Sequence, residues 1–153
     1  MARQVSVVGS GAEWEAAAEE VGRLLAERGC TVVTGGLGGV MAAAHRGAKA
    51  AGGTTIAILP GESRDDANQW ADHVVVTGIG HARNLAVVAS GDVLVAVGGE
   101  WGTLSEIALA GVLGRPVVVL AGWRLEHLRE LPGQVHYAQS AAEAVELARR
   151  LTA

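Results

Sequence analysis

The chain has 153 residues, half of them hydrophobic, which suits one domain with a full apolar core. Its formal net charge of −4 argues against nucleic-acid binding, which usually needs a basic face. Its single cysteine excludes an internal disulfide, and no apolar run is long enough for a signal peptide or a membrane span. We therefore expect a cytoplasmic protein that has no contact with membranes or nucleic acids.

Apolar runs alternate with Ala-rich stretches along the whole sequence, and this alternation predicts strands and helices in turn. In chain order we predict a strand at 4–8, a helix at 12–28, a strand at 31–34, a helix at 39–51, strands at 54–59 and 73–77, a helix at 81–90, a strand at 93–97, a helix at 103–113, a strand at 116–120, a short helix at 125–130, a strand at 134–137 and a helix at 141–151. A polar stretch at 62–68 predicts a long exposed loop.

Most of the predicted strands are continuous Val, Ile and Leu runs, which are typical of strands buried on both faces of a parallel sheet. Helices between parallel strands must cover both faces of the sheet. The sequence therefore predicts a single doubly wound, Rossmann-like α/β domain over residues 1–153. We expect its sheet to have about seven, mostly parallel strands.

Glycine-rich turns follow three of these strands. Gly9-Ser10-Gly11 follows the first, 35–39 (Gly-Gly-Leu-Gly-Gly) follows the second, and Gly98-Gly99 follows the fifth. Ligands of doubly wound folds bind at the carboxyl ends of the strands, where backbone N–H groups hold phosphates. The alternative is that short turns need glycine only for a positive φ. Four glycines in five residues favour a shared phosphate site.

The segment 98–106, Gly-Gly-Glu-Trp-Gly-Thr-Leu-Ser-Glu, carries the most information. It joins an apolar strand to an apolar helix, so its N–H groups can hold an anion over the helix N-terminus. Glu106 places a carboxylate one turn into that helix. The alternative is structural, because Thr103 and Glu106 have the spacing of a capping box, which would explain both side chains without a ligand.

Common nucleotide-binding and catalytic motifs are absent. Trp14 stands where the dinucleotide fingerprint needs its third glycine, and the second predicted strand ends in Thr34-Gly35-Gly36, without an acidic residue for a ribose. No Gly-Lys-Ser/Thr sequence and no nucleophile elbow occur. The five histidines have no ligand-like spacing, so we expect no metal ion, and we expect no other cofactor.

Three segments together resemble the LOG or "lysine decarboxylase-like" family, whose signature is P-G-G-x-G-T-x-x-E. They are 34–41 (Thr-Gly-Gly-Leu-Gly-Gly-Val-Met), Arg83-Asn84 and 98–106. The family's characterised members split a nucleoside 5′-monophosphate into a free base and ribose 5-phosphate. The similarity covers nearly the whole chain and is greatest for a short bacterial branch with G-G-x-x-G-T-L-S-E. That branch also resembles molybdenum-cofactor carrier proteins.

The resemblance implies that Arg83 and Glu106 are catalytic. Together with the other glycine turns, it implies a phosphate-binding set of Gly9, Ser10, Gly35, Gly36, Gly98, Gly99, Gly102 and Thr103. Four positions depart from the family pattern: Gly98 replaces Pro, Glu100 replaces Gly, Asn84 replaces Lys and His81 replaces Met. Glu100 and Asn84 both make the site less favourable for an anion.

Two functions remain open. The leading one is a phosphoribohydrolase acting on a nucleoside 5′-monophosphate, and the alternative is a non-catalytic carrier or sensor of a nucleotide or of molybdenum cofactor. Either function implies a small phosphorylated ligand as the partner. The helical stretches 106–113 and 85–89 are apolar nearly all round, which predicts a homodimer or a larger homo-oligomer.

Overall fold

The computed structural model describes residues 1–126 and 135–153. Its strands are β1 (Gln4–Ser10), β2 (Thr31–Thr34), β3 (Thr55–Leu59), β4 (His73–Val76), β5 (Val93–Gly98), β6 (Val117–Leu120) and β7 (Val135–Ala138). Its α-helices are α1 (Glu15–Glu27), α2 (Val40–Ala50), α3 (Arg83–Ser90), α4 (Trp101–Val112) and α5 (Ala141–Leu151). Short 3-10 helices lie at Ala12–Trp14, Arg64–Asp66 and Gly80–Ala82.

All seven strands belong to one sheet, in the order β4-β3-β2-β1-β5-β6-β7, and every neighbouring pair is parallel. The predicted Rossmann-like α/β fold is therefore confirmed. The strand order reverses between β1 and β5, which opens a crevice at their carboxyl ends. Gly9 pairs with Val97 and Ser10 with Gly98, so the glycine turns after these two strands begin side by side.

Two apolar layers enclose the sheet. Helices α1, α2 and α5 pack on one face, and α3 and α4 pack on the other. Strand β5 contributes to both layers, since Val93, Val95 and Val97 face the first layer while Leu94 and Ala96 face the second. Each residue of β5 is buried, which explains why its sequence is continuously apolar.

The helix starts differ from the predicted ones. Helix α4 begins at Trp101, two residues before the predicted start, and 3-10 turns precede both α1 and α3. The predicted short helix at 125–130 lies outside the described residues from position 127 onward, as does position 134 of the last predicted strand. The exposed loop predicted at 62–68 contains the 3-10 turn Arg64–Asp66. Within the described ranges, no helix has the length and hydropathy needed to cross a membrane.

Candidate functional site

A cleft of about 240 Å³ lies where the strand order reverses, at the carboxyl ends of β1, β2 and β5. The predicted site residues that line it are Gly9, Ser10, Gly35, Arg83, Gly102, Thr103 and Glu106. Gly36, Gly98 and Gly99 are not part of this lining and belong to the turns behind it. The fold thus brings most of the predicted residues to one place, although they come from four separate parts of the chain.

The turn between β5 and α4 can be built only with glycine. Gly98 has a φ of +62° and Gly99 a φ of +114°, which L side chains rarely adopt. A Cβ on Gly99 would lie 2.3 Å from Oγ1 of Thr103. A Cβ on Gly98 would lie 2.0 Å from the ring of Trp14. Trp14, which disrupts the dinucleotide fingerprint, therefore packs directly over this turn.

The capping box predicted from Thr103 and Glu106 is wrong. The residue that caps α4 is Glu100, its side chain makes no capping hydrogen bond, and Thr103 already lies in the first helical turn. The reason is the glycine turn, because the conformations of Gly98 and Gly99 direct the chain into the helix early. Leu104 donates its N–H to the carbonyl of Glu100, so the N–H groups of residues 101–103 have no intrahelical acceptor.

Arg83 is the first residue of α3, and its side chain is buried beside the cleft. Its Nη2 donates a hydrogen bond to the carbonyl oxygen of Gly35 at 3.3 Å, and its Nη1 donates to Oδ1 of Asn84. Its buried Nε has no hydrogen-bond partner in the part of the chain that the structure describes. A Cβ on Gly35 would lie 2.5 Å from Arg83 Nη2, so the glycine makes room for the guanidinium.

Glu106 is buried in the second turn of α4, with 7% of its surface exposed. Burial raises the pKa of its carboxyl to about 7, and the nearby positive charge of Arg83 opposes this rise. Burial also lowers the pKa of Arg83, whereas the charge of Glu106 raises it. No direct ion pair or hydrogen bond joins the two side chains. Across residues 1–126 and 135–153, the Glu106 carboxylate also has no other hydrogen-bond or ion-pair partner.

Three of the four departures from the LOG pattern, Asn84, Glu100 and His81, also lie at this cleft. Asn84 accepts a hydrogen bond from Arg83 and helps to hold it, where a lysine would add a second positive charge. Glu100 lines the cleft and brings a second carboxylate to it, while His81 is exposed at the same cleft. With one arginine and two acidic side chains in its lining, the cleft would have to hold any anion mainly through backbone N–H groups and the α4 dipole.

Two lining residues, Val8 and Met41, were not predicted as site residues, because single apolar side chains carry no chemical signal. Trp101, the aromatic residue of the segment 98–106, does not line the cleft. It is 78% exposed and packs against Trp123, with ring centroids 5.9 Å apart. Among the described residues, no three His, Cys, Asp or Glu side chains lie close enough together to hold a metal ion.

Known proteins share both the sequence pattern and the fold. The model of the SLOG cluster 4 family matches residues 2–148. The chain belongs to this family. It is also 35% identical to a cytokinin riboside 5′-monophosphate phosphoribohydrolase of Mycobacterium tuberculosis over 116 residues. That match covers 69% of this chain and 62% of the relative, so the chain spans less than two thirds of that enzyme.

Several solved structures match almost the entire chain. A molybdenum cofactor binding protein of Rippkaea orientalis superposes with a TM-score of 0.93 at 34% identity, covering 100% of this chain and 99% of that one. The molybdenum cofactor carrier protein of Chlamydomonas reinhardtii superposes with a TM-score of 0.90 at 36% identity, covering 99% and 98%. The predicted relation to the LOG family, on a branch near molybdenum-cofactor carriers, is confirmed.

The buried carboxyl of Glu106 predicts a pH-dependent stability. Because its pKa is about 7 in the folded protein and ordinarily 4.5, the folded state binds a proton that the unfolded state releases between these values. Stability due to this group therefore falls as the pH rises from about 4.5 to about 7. Thermal melts should show that Glu106→Gln raises the melting temperature clearly at pH 8 and little at pH 4.5.

The matched control is Glu62→Gln, which changes an exposed glutamate outside the cleft and should alter the melting temperature little at either pH. Two results would show that Glu106 does not carry a buried, unpaired carboxyl. One is an equal effect of Glu106→Gln at pH 4.5 and pH 8, and the other is a variant that is less stable than the wild type at pH 8.

Proposed function

We propose that the cleft binds a nucleoside 5′-monophosphate and hydrolyses its N-glycosidic bond, giving a free base and ribose 5-phosphate. The observation that carries this proposal is the pair Arg83 and Glu106. Both are buried at the same cleft, beside glycine turns, and in the described part of the chain neither forms an ion pair that neutralises it. Ionisable groups buried in this way cost stability, and they concentrate at functional sites.

The phosphate end of the substrate belongs at the start of α4. The N–H groups of residues 101–103 have no intrahelical acceptor, and the helix dipole favours an anion there. The hydroxyls of Ser10 and Thr103 line the same cleft, and the unpartnered Nε of Arg83 offers a charged donor. In this proposal Gly9, Gly35 and Gly102 let the substrate approach the backbone. The remaining glycines of the predicted set, Gly36, Gly98 and Gly99, give the turns their shape.

Glu106 is the proposed catalytic group. Cleavage of an N-glycosidic bond passes through a sugar with oxocarbenium character, which an ionised carboxylate can stabilise while it orients the attacking water. Only the ionised form does this, and the pKa of about 7 makes its population rise through neutral pH. The base leaves as a protonated species, and His81 at the cleft is the side chain proposed to supply that proton.

The second candidate is a non-catalytic carrier or sensor that holds a nucleotide or molybdenum cofactor. Its support is twofold. Two structures that match nearly the full chain are described as a molybdenum cofactor binding protein and a molybdenum cofactor carrier protein. In addition, Glu100 adds a negative charge to a cleft that has one arginine, and this charge lowers the affinity of the cleft for a substrate phosphate.

We also propose that the protein is a cytoplasmic homodimer or larger homo-oligomer. Helices α3 and α4 cover one face of the sheet, yet they leave large apolar side chains in contact with solvent. These are Leu85 at 45% exposure, Trp101 at 78%, Val112 at 81% and Leu113 at 42%. Within residues 1–126 and 135–153 no neighbouring helix covers these side chains, and an exposed apolar patch of this kind is typical of a subunit interface.

The enzymatic proposal predicts the effect of Glu106→Gln on turnover. The change removes the charge at nearly constant shape, so release of free base from the best nucleoside monophosphate should fall roughly a hundredfold or more. Wild-type activity should rise as the pH increases through about 7, following ionisation of Glu106. Base release from a panel of nucleoside 5′-monophosphates, followed by chromatography, measures both.

Ser105→Ala is the matched control, because Ser105 lies on the exposed side of the same helical turn and bonds only to the carbonyl of Gly102. It should keep wild-type turnover. Full turnover in Glu106→Gln would show that Glu106 is not a catalytic residue. Binding of monophosphates without base release in the wild type would favour the carrier.

The proposed interface is tested by Val112→Asp. A charge on the apolar face of α4 should prevent association, so multi-angle light scattering should find the wild type at twice the monomer mass or more, and the variant at the monomer mass. Ala16→Asp places the same charge on an exposed site of α1, across the sheet, and should leave the mass unchanged. A monomeric wild type at micromolar concentration contradicts the proposal.

A further inference from the structure

Behind the cleft, a closed ring of hydrogen bonds surrounds Gly36. The Gly36 N–H donates to Thr34 Oγ1 at 3.0 Å, and Thr34 Oγ1 lies 3.1 Å from Nε2 of His45. The other ring nitrogen of His45, Nδ1, lies 3.3 Å from Oδ1 of Asn68. Asn68 Nδ2 then donates back to the carbonyl oxygen of Gly36 at 3.2 Å. We call Thr34, His45 and Asn68 the ring residues.

The ring residues come from β2, α2 and the loop before β4, and none of them lines the cleft. Thr34 and His45 are completely buried. Burial lowers the pKa of His45 to about 4, although its hydrogen bond to Asn68, the carbonyl of Ile56 and the charge of Asp72 oppose this. The imidazole is therefore neutral at neutral pH, with one nitrogen that donates and one that accepts.

Only one assignment of donors and acceptors fits the hydrogen bonds of the ring. Asn68 Nδ2 donates to the carbonyls of Gly36 and Leu37, and the N–H of Trp70 donates to Asn68 Oδ1. These bonds fix the orientation of the amide, so the oxygen of Asn68 faces His45 Nδ1, which must carry the proton. His45 Nε2 then accepts the hydroxyl proton of Thr34, and that hydroxyl oxygen accepts the N–H of Gly36.

This ring is coupled to Arg83 through one peptide unit. The N–H of Gly36 and the carbonyl of Gly35 belong to the same planar, trans peptide, so they point in opposite directions. When Thr34 holds the N–H on one side, the carbonyl must face the other side, where Arg83 Nη2 donates to it at 3.3 Å. The direction of that carbonyl in turn sets where the guanidinium lies at the cleft.

We propose that Thr34, His45 and Asn68 are positioning residues, which orient the peptide between Gly35 and Gly36 and thereby hold the Arg83 guanidinium at the cleft. The orientation of Arg83 follows from the hydrogen bonds alone, and only its effect on ligand binding rests on the proposed function. The competing explanation is that the ring merely stabilises the loop before β4.

The sharpest variants are Thr34→Val, which keeps the shape of the side chain but removes the hydroxyl, and Thr34→Ser, which keeps the hydroxyl. In the wild type, ¹⁵N NMR should show a neutral His45 with its proton on Nδ1 at pH 7. Thr34→Val should shift the Arg83 Nε–H resonance, and Thr34→Ser should restore it. Ser6→Ala removes another buried hydroxyl, which bonds to the carbonyl of Val87, and should leave Arg83 unaffected.

Ligand affinity gives the second readout, with adenosine 5′-monophosphate as the probe in calorimetry. Thr34→Val should weaken binding about five- to tenfold, corresponding to about one neutral hydrogen bond. Thr34→Ser and Ser6→Ala should bind like the wild type, even if their melting temperatures fall. In an Arg83→Ala background, Thr34→Val should weaken binding no further, since the guanidinium that the ring positions is gone.

A proton on Nε2 of His45, or an unchanged Arg83 resonance in Thr34→Val, would overturn the positioning role. An equal loss of affinity in Thr34→Val with and without Arg83 would also overturn it, in favour of a purely structural ring. If the wild type does not bind adenosine 5′-monophosphate, the proposed function fails for this substrate. The two NMR readouts still decide the positioning role in that case.

Discussion

A buried guanidinium joins the parts of the fold that meet at the cleft. Arg83 starts α3, its Nη2 holds the carbonyl of the turn after β2, and its charge acts on Glu106 in the helix after β5. Glycines make both contacts possible. A side chain at Gly35 would displace the Arg83 guanidinium, and a side chain at Gly99 would displace Thr103 in the helix that carries Glu106. The glycine turn after β2 thus leaves room for Arg83, and the glycine turn after β5 leaves room for Thr103.

The electrostatics of this arrangement are unusual for the proposed phosphate site. Arg83 is the cationic side chain that lines the cleft together with two carboxylates, Glu100 and Glu106. Because burial holds the pKa of Glu106 near 7, part of the negative charge is absent at neutral pH. The same group that would limit anion binding at high pH is the one that the proposed glycosidic cleavage needs in its ionised form. The proposed binding and the proposed catalysis should therefore have opposite pH dependences at this cleft.

The fold could be predicted closely because the pattern of apolar runs and glycine turns in the sequence is strong. A continuous apolar run such as β5 fits only a strand covered on both faces, and the glycine turns mark where such strands end. Glu106 and Arg83 were predicted through a motif, and the structure brings both to one cleft. The capping box was wrong because residue spacing alone does not reveal that the conformations of Gly98 and Gly99 start the helix early.

The ring around Gly36 could not be predicted in this way. His45 and Asn68 are 23 positions apart, and each alone looks like an ordinary polar residue. Their role follows from a buried geometry in which the donors and acceptors close on one another. Long-range networks of single polar side chains leave no periodic pattern in the sequence, so they appear only once the backbone is placed.

The central claim is that Glu106 is buried beside Arg83 and becomes ionised near neutral pH. The most direct test is a ¹³C NMR titration of glutamate side-chain carboxyls, with the Glu106 signal assigned by its loss in Glu106→Gln. The account predicts one carboxyl that titrates near pH 7, and a higher value in Arg83→Ala because the opposing positive charge is removed. A Glu106 signal that titrates near its ordinary value of 4.5 would contradict the account.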